Sequence, residues 1–165
     1  MKRPPLKVFY SYAHEDEQAR DLLDEHLELL ARRNVILRWH DRQIIPGQEW
    51  DRAIQVALED ADIILLLVSK SFMQSDYVRR NEIPAAMREH AAGRARVVPV
   101  LLEDVKNWRK APFAKLEMLP DKGRAVSDWQ DPVSAYANVA RGIEKVARDI
   151  IIAGGGPFEF GAHRF

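Results

Sequence analysis

Glu82 is the side chain whose type and position first suggest chemistry. It closes the stretch Ser69-Lys70-Ser71-Phe72-Met73-Gln74-Ser75-Asp76-Tyr77-Val78-Arg79-Arg80-Asn81-Glu82, which carries three hydroxyls of serine and two aromatic rings. Directly before it lies the unbroken apolar run Ile63-Ile64-Leu65-Leu66-Leu67-Val68, which reads as a strand buried on both faces inside a parallel sheet. Ligands of open α/β sheets bind outside the carboxyl ends of the strands. A lone carboxylate delivered to that edge is therefore a candidate for catalysis. The bland alternative is a solvated acid at a helix start, neighbour to Arg79 and Arg80.

Strands alternating with helices would position this acid. Strand-like runs occur at Leu6–Tyr12, Val35–Trp39, Asp62–Ser69, Ala95–Glu103 and Arg124–Trp129. Between the first two, Ala19, Leu22, Leu23, His26, Leu27 and Leu30 recur at helical spacing, with charged residues on the opposite face. Trp50, Ala53, Ile54, Ala57, Leu58 and Ala61 repeat the pattern in a second helix. The last helix is opened by Asp131 as N-cap and Pro132 at its first position. Pro84, which has no backbone N–H, starts or kinks a helix just after Glu82. The pattern predicts an α/β fold with a five-stranded parallel sheet, flavodoxin-like in its order 2-1-3-4-5, and helices on both faces. That order places the end of the first strand, Ser11-Tyr12-Ala13-His14, beside the end of the third, Ser69-Lys70-Ser71-Phe72, over one crevice.

Several other chemistries are excluded. The turn Ser11–Glu17 has no glycine and three acids, and neither GxGxxG nor GxxxxGK[ST] occurs, so there is no phosphate cradle. A phosphoacceptor would need an aspartate where Ser69 stands. The five histidines (14, 26, 40, 90 and 163) lack metal-ligand spacing, and no metal site is expected. A triad could be drawn from Ser71, His14 and Asp16, but no nucleophile elbow accompanies it. With no cysteine in the chain, disulfides and thiolate catalysis are out. Lys and Arg (25) balance Asp and Glu (25), so no electrostatic footprint for nucleic acid or an anionic membrane exists. Met1–Pro5 leads into the first strand without a signal-peptide core, and no apolar run is long enough to span a bilayer. The expectation is one soluble, cytoplasmic domain over residues 1–152. A flexible Gly-rich linker or tail then covers 153–165 and could lead to a further domain.

The second loop is distinctive: Trp39-His40-Asp41-Arg42-Gln43-Ile44-Ile45-Pro46-Gly47 runs from the end of the second strand to a Pro-Gly turn. Ile44 and Ile45 are either exposed for a partner contact or folded back onto the second helix.

At this point the residues resemble a family. Val8-Phe9-Tyr10-Ser11-Tyr12 is similar to the first box of Toll/interleukin-1 receptor (TIR) domains, and Asp41 through Gly47 to their BB loop. Ser69 through Glu82 resembles their active-site segment. Phe113-Ala114-Lys115-Leu116 with Leu119-Pro120 is similar to bacterial members. The resemblance spans about residues 6–150 in the expected order. It departs in two ways: Glu82 follows Tyr77 by five residues, where four is common in the family, and Tyr77 replaces the more frequent Trp.

The resemblance implies intracellular signalling or antiphage immunity and, in many members, cleavage of the nicotinamide–ribose bond of NAD+ as substrate, with no cofactor. It makes Glu82 the catalytic acid. Ser11, Tyr12, His14, Trp39, Asp41, Ser71 and Tyr77 become candidate substrate contacts. Plainer roles stand beside some of these: strand-end packing for Tyr12, turn capping for Ser71, a solvated loop for His14. Arg42, Ile44, Ile45, Pro46 and Gly47 become an assembly surface for other TIR domains, in a homo-oligomer or filament. A sensor domain, fused or associated on the C-terminal side, would supply the trigger. Ordinary glycosidases need a proton donor beside a second carboxylate. Nicotinamide leaves a cationic pyridinium as a neutral molecule, so one glutamate suffices to stabilise the oxocarbenium-like ribose. The alternative is a non-catalytic adaptor that uses the same surfaces for homotypic contacts.

Overall fold

Every residue from Ile63 to Val68 is buried, and the period-two geometry of a strand divides them between two cores. Ile63, Leu65 and Leu67 face one core, while Ile64, Leu66 and Val68 face the other. A strand apolar on both sides needs helices above and below it. The computed structural model, which describes residues 4–106 and 108–154, has this three-layer arrangement. Strands β1 (Leu6–Ser11), β2 (Ile36–Trp39), β3 (Ile63–Val68) and β4 (Arg96–Leu101) form one parallel sheet in the order β2-β1-β3-β4. Helices α1 (Glu17–His26), α2 (Glu28–Arg32) and α6 (Pro132–Ala153) close the first core. Helices α3 (Trp50–Glu59), α4 (Lys70–Gln74) and α5 (Ile83–Ala91) close the second.

The sheet has four strands, not the expected five. Residues 124–129, read as the fifth, form a tight turn around the single-turn 3-10 helix Val126–Asp128. Arg124 closes this turn on itself: its Nη2 donates to the Asp128 carbonyl at 2.8 Å and its own carbonyl accepts from Trp129 Nε1 at 3.1 Å. The edge of β4 is covered instead by Leu119, which accepts from Leu101 N–H at 2.8 Å and donates to the Pro99 carbonyl at 3.0 Å. No ladder can grow from this bridge. Pro120 has no N–H to offer, and Lys122 and Gly123 turn the chain away with φ of 62° and 67°.

The first helical stretch is interrupted at Leu27, and Asp131 caps α6 by accepting from Val133 N–H at 3.1 Å, as its sequence predicts. His26 is half-buried, its ring 6.1 Å from that of Tyr136. Residues 155–165, which include most of the expected Gly-rich tail, lie outside the described residues. Among the described residues no helix is long and apolar enough to cross a membrane.

Asn138 of α6 pins the segment that replaces the fifth strand. Its Oδ1 accepts from Asp121 N–H and its Nδ2 donates to Asp121 Oδ2, both at 2.8 Å. Asn138→Ala should lower unfolding free energy by about 1–3 kcal/mol, read from urea denaturation with unchanged slope. An unchanged midpoint would show that this clamp contributes nothing.

Candidate active site

β1 and β3 end side by side, with Ser11 opposite Leu66. This is the switch point of the sheet, since β1 connects outward to β2 on one side and β3 leads on to β4 on the other. Ser11 is fully buried there, and its hydroxyl donates to Glu82 Oε1 at 2.8 Å. Glu82 itself is only 8% exposed. It is thus not a solvated acid beside Arg79 and Arg80: Arg79 pairs with Asp76, and both arginines are exposed. Burial pushes the Glu82 carboxyl up to about 7, against the pull of the Ser11 hydroxyl and with a smaller push from Asp41.

The five-residue step from Tyr77 to Glu82 has a structural counterpart. Val78–Glu82 forms a π turn, in which Ile83 N–H bonds to the Val78 carbonyl five residues back. In such a turn a residue five positions on returns to the face that an α-helix reaches after four. Asn81 Nδ2 donates to the Tyr77 carbonyl at 3.3 Å. Pro84 follows in the first turn of α5, directly after the π turn, and has no N–H to bond back to that turn. Tyr77 and Glu82 consequently line the same cleft, of about 560 Å³, a volume in the usual range of ligand sites.

Tyr12, His14, Asp41 and Ser71 line this cleft too. Tyr12 is buried, with its hydroxyl donating to Asp41 Oδ1 at 2.6 Å and the Arg20 guanidinium 5.5 Å from its ring centre. Burial, and then the bond to Asp41, holds its phenol well above the ordinary range. His14 is exposed on the turn after β1, and Ser71 is half-buried in α4. The α4 cap is Ser69, whose Oγ accepts from Phe72 N–H at 3.0 Å and donates to Asp16. Trp39 sits elsewhere. It stacks on Phe9 at 5.2 Å with planes 9° apart and lines a separate hollow with Ile44, Gln48 and Val56.

Trp50 is a cleft residue, although its helical spacing places it on the apolar face of α3. A usable signal existed: it opens the helix after the Pro-Gly turn, and crossover helices begin at the sheet edge where ligands bind. Its neighbour Asp51 accepts the Tyr77 hydroxyl at 2.5 Å.

The two loop isoleucines divide the roles left open by the sequence. Ile44 packs against the second core, whereas Ile45 is 62% exposed beside exposed Pro46 and Gly47. Gly47 has φ of +91°, a conformation that side chains with a Cβ rarely adopt. Arg42, also exposed, pairs with Glu17 at 3.0 Å. Among the described residues no cluster of His, Asp and Glu is arranged to hold a metal ion.

A parallel sheet with a buried acid at its switch point, a BB-like loop and no phosphate cradle defines a narrow class. Residues 8–138 match the family model of the TIR domain. The chain belongs to the TIR domain family. It is 42% identical over 140 residues to the uncharacterized protein y4lF of Sinorhizobium fredii (strain NBRC 101917 / NGR234), a match covering 85% of this chain and 43% of that protein. The chain thus spans less than half the length of this curated relative.

The buried acid makes stability depend on pH with a defined sign. A glutamate whose folded value lies near 7, against an ordinary 4.5, binds more protons folded than unfolded between these limits. Stability should therefore fall as pH rises from 4.5 to 7, by roughly 3 kcal/mol at most. Glu82→Gln, which can still accept from Ser11, should flatten this decline and be the more stable protein at pH 8, measured by urea unfolding across pH. Parallel curves for the two proteins would refute the assignment.

Proposed function

We propose that this domain cleaves the nicotinamide–ribose bond of NAD+, with Glu82 as its catalytic carboxylate. The observation that carries the reading is the acid itself. It is 8% exposed, bonded to Ser11 and set in a cleft at the carboxyl edge of the sheet. Burying a carboxylate is costly, and an adaptor acting only through surface contacts has no use for one.

The chemistry needs little more. The C1′–N bond breaks with its electron pair passing to the pyridinium nitrogen, so nicotinamide departs neutral without a proton. The positive charge left on the ribose is stabilised by the Glu82 carboxylate, whose own burial keeps it poorly solvated and the interaction strong. Water then adds its oxygen to C1′ and gives up a proton, for which Glu82 is the acceptor, leaving ADP-ribose. Attack by an atom of the substrate's own base would give a cyclic isomer instead. Tyr12, held by Asp41, fixes the wall of the cleft next to β1, and His14 and Ser71 offer polar groups near its mouth. Exposed Ile45, Pro46, Gly47 and Arg42 supply a surface for a second copy of the domain. In this reading the protein is a cytoplasmic, self-assembling effector in immune signalling, with NAD+ as substrate and no bound cofactor. The domain ends near residue 152, and a sensor on its C-terminal side provides the trigger.

Nicotinamide release from NAD+ at high protein concentration tests the reading. Wild type should be active and Glu82→Gln slower by roughly 10²-fold or more. Equal rates would remove Glu82 from the mechanism, and inactivity of both proteins even when clustered would favour the adaptor. Because the ionised acid does the work, kcat/KM should climb with pH and level off above about 7. A profile flat from pH 5.5 to 8.5 would contradict it.

A further inference from the structure

Two aromatic rings meet at the rim of the Glu82 cleft, and they are not equally free. The Tyr77 hydroxyl is taken by Asp51, its ring lies 4.9 Å from the Trp50 ring at 57°, and the residue is half-buried. Trp50 lines the same cleft and is 55% exposed. We propose that Trp50 is the ring on which a flat heteroaromatic base of the substrate stacks, and that Tyr77 is a positioning residue that holds the π turn and thereby Glu82. This rests on the reading of the cleft as an NAD+ site.

The geometry separates the two roles. A side chain with its polar end bonded and its ring against an indole is fixed in place, which suits it to bracing the turn that ends in Glu82. Trp50 stands on the first residue of α3, anchored by its helix, with much of its surface still in water. Covering that surface with a base removes apolar area from water. Indole is also the best of the natural rings for a cationic partner such as a pyridinium. The two bases of the dinucleotide share the needed chemistry, and mononucleotide halves distinguish them.

Equilibrium binding is measured in the Glu82→Gln background, which leaves the dinucleotide intact, using NAD+, nicotinamide mononucleotide and AMP as separate probes. Trp50→Ala should weaken NAD+ binding by roughly ten-fold and weaken one of the two halves likewise, while Trp50→Phe recovers most of the loss. In otherwise wild-type protein, Trp50→Phe, which keeps a ring against Tyr77, should lower kcat less than Trp50→Ala, and both should raise KM. Tyr77→Phe, which removes the bond to Asp51 and keeps the ring, should lower kcat with KM little changed. If the Glu82→Gln parent binds NAD+ and the Trp50 variants in that background bind all three probes as tightly, the stacking assignment is overturned and the NAD+ reading stands. A Tyr77→Phe effect confined to KM would overturn the positioning role. If the parent protein binds no probe and wild type releases no nicotinamide, the NAD+ reading fails and takes this inference with it.

Discussion

A carboxylate inside a protein must find in its neighbours the solvation it gives up on leaving water. For Glu82 the neighbour is Ser11, 71 residues earlier in the chain, reached by a single hydroxyl at 2.8 Å. That contact exists only because β1 and β3 pair in parallel, with β3 running on past Ser11 to Val68, and because the chain after β3 returns over the end of β1. One hydroxyl is partial compensation for a charge. The acid is accordingly poised between its protonated and ionised forms near neutral pH. The same incompleteness leaves it free to respond to a cation arriving in the cleft, which a carboxylate locked by an arginine could not do.

The opposite wall of the cleft is held differently. α3 contributes Trp50 and Ile54, with Asp51 holding the Tyr77 hydroxyl behind them, and the loop before it carries Ile45 and Pro46 outward while Ile44 grips the second core. Cleft wall and exposed loop are thus consecutive parts of one short segment. A contact made by the loop in an oligomer would bear directly on the Asp51–Tyr77 bond and on the turn that ends at Glu82.

Much of this was legible in the chain because it rests on strong local patterns. The run from Ile63 to Val68 admitted little besides a buried strand, the alternation with helices fixed the parallel order, and the order brought Ser11 and Glu82 into one region. The fifth strand failed on weaker grounds. Residues 124–129 hold only scattered apolar side chains, Arg124 and Trp129 bond within the segment, and Leu119 already occupies the β4 edge. Which way a side chain points was the other blind spot. Period and composition do not distinguish Trp39, stacked on Phe9, from Trp50, set in the cleft. Nor do they tell Ile44 from Ile45, since adjacent loop residues diverge according to packing that forms only in the folded chain.

The π turn at Val78–Glu82 has a consequence for how relatives are compared. It makes segments of unequal length equivalent in space: one residue is absorbed as a bulge in the helix wall, and everything downstream keeps its orientation. A gap-free alignment of this chain with a segment that lacks the bulge would pair Glu82 with the wrong position. Homology at this site is a property of helical faces, and a ruler counted in residues misreads it by one notch.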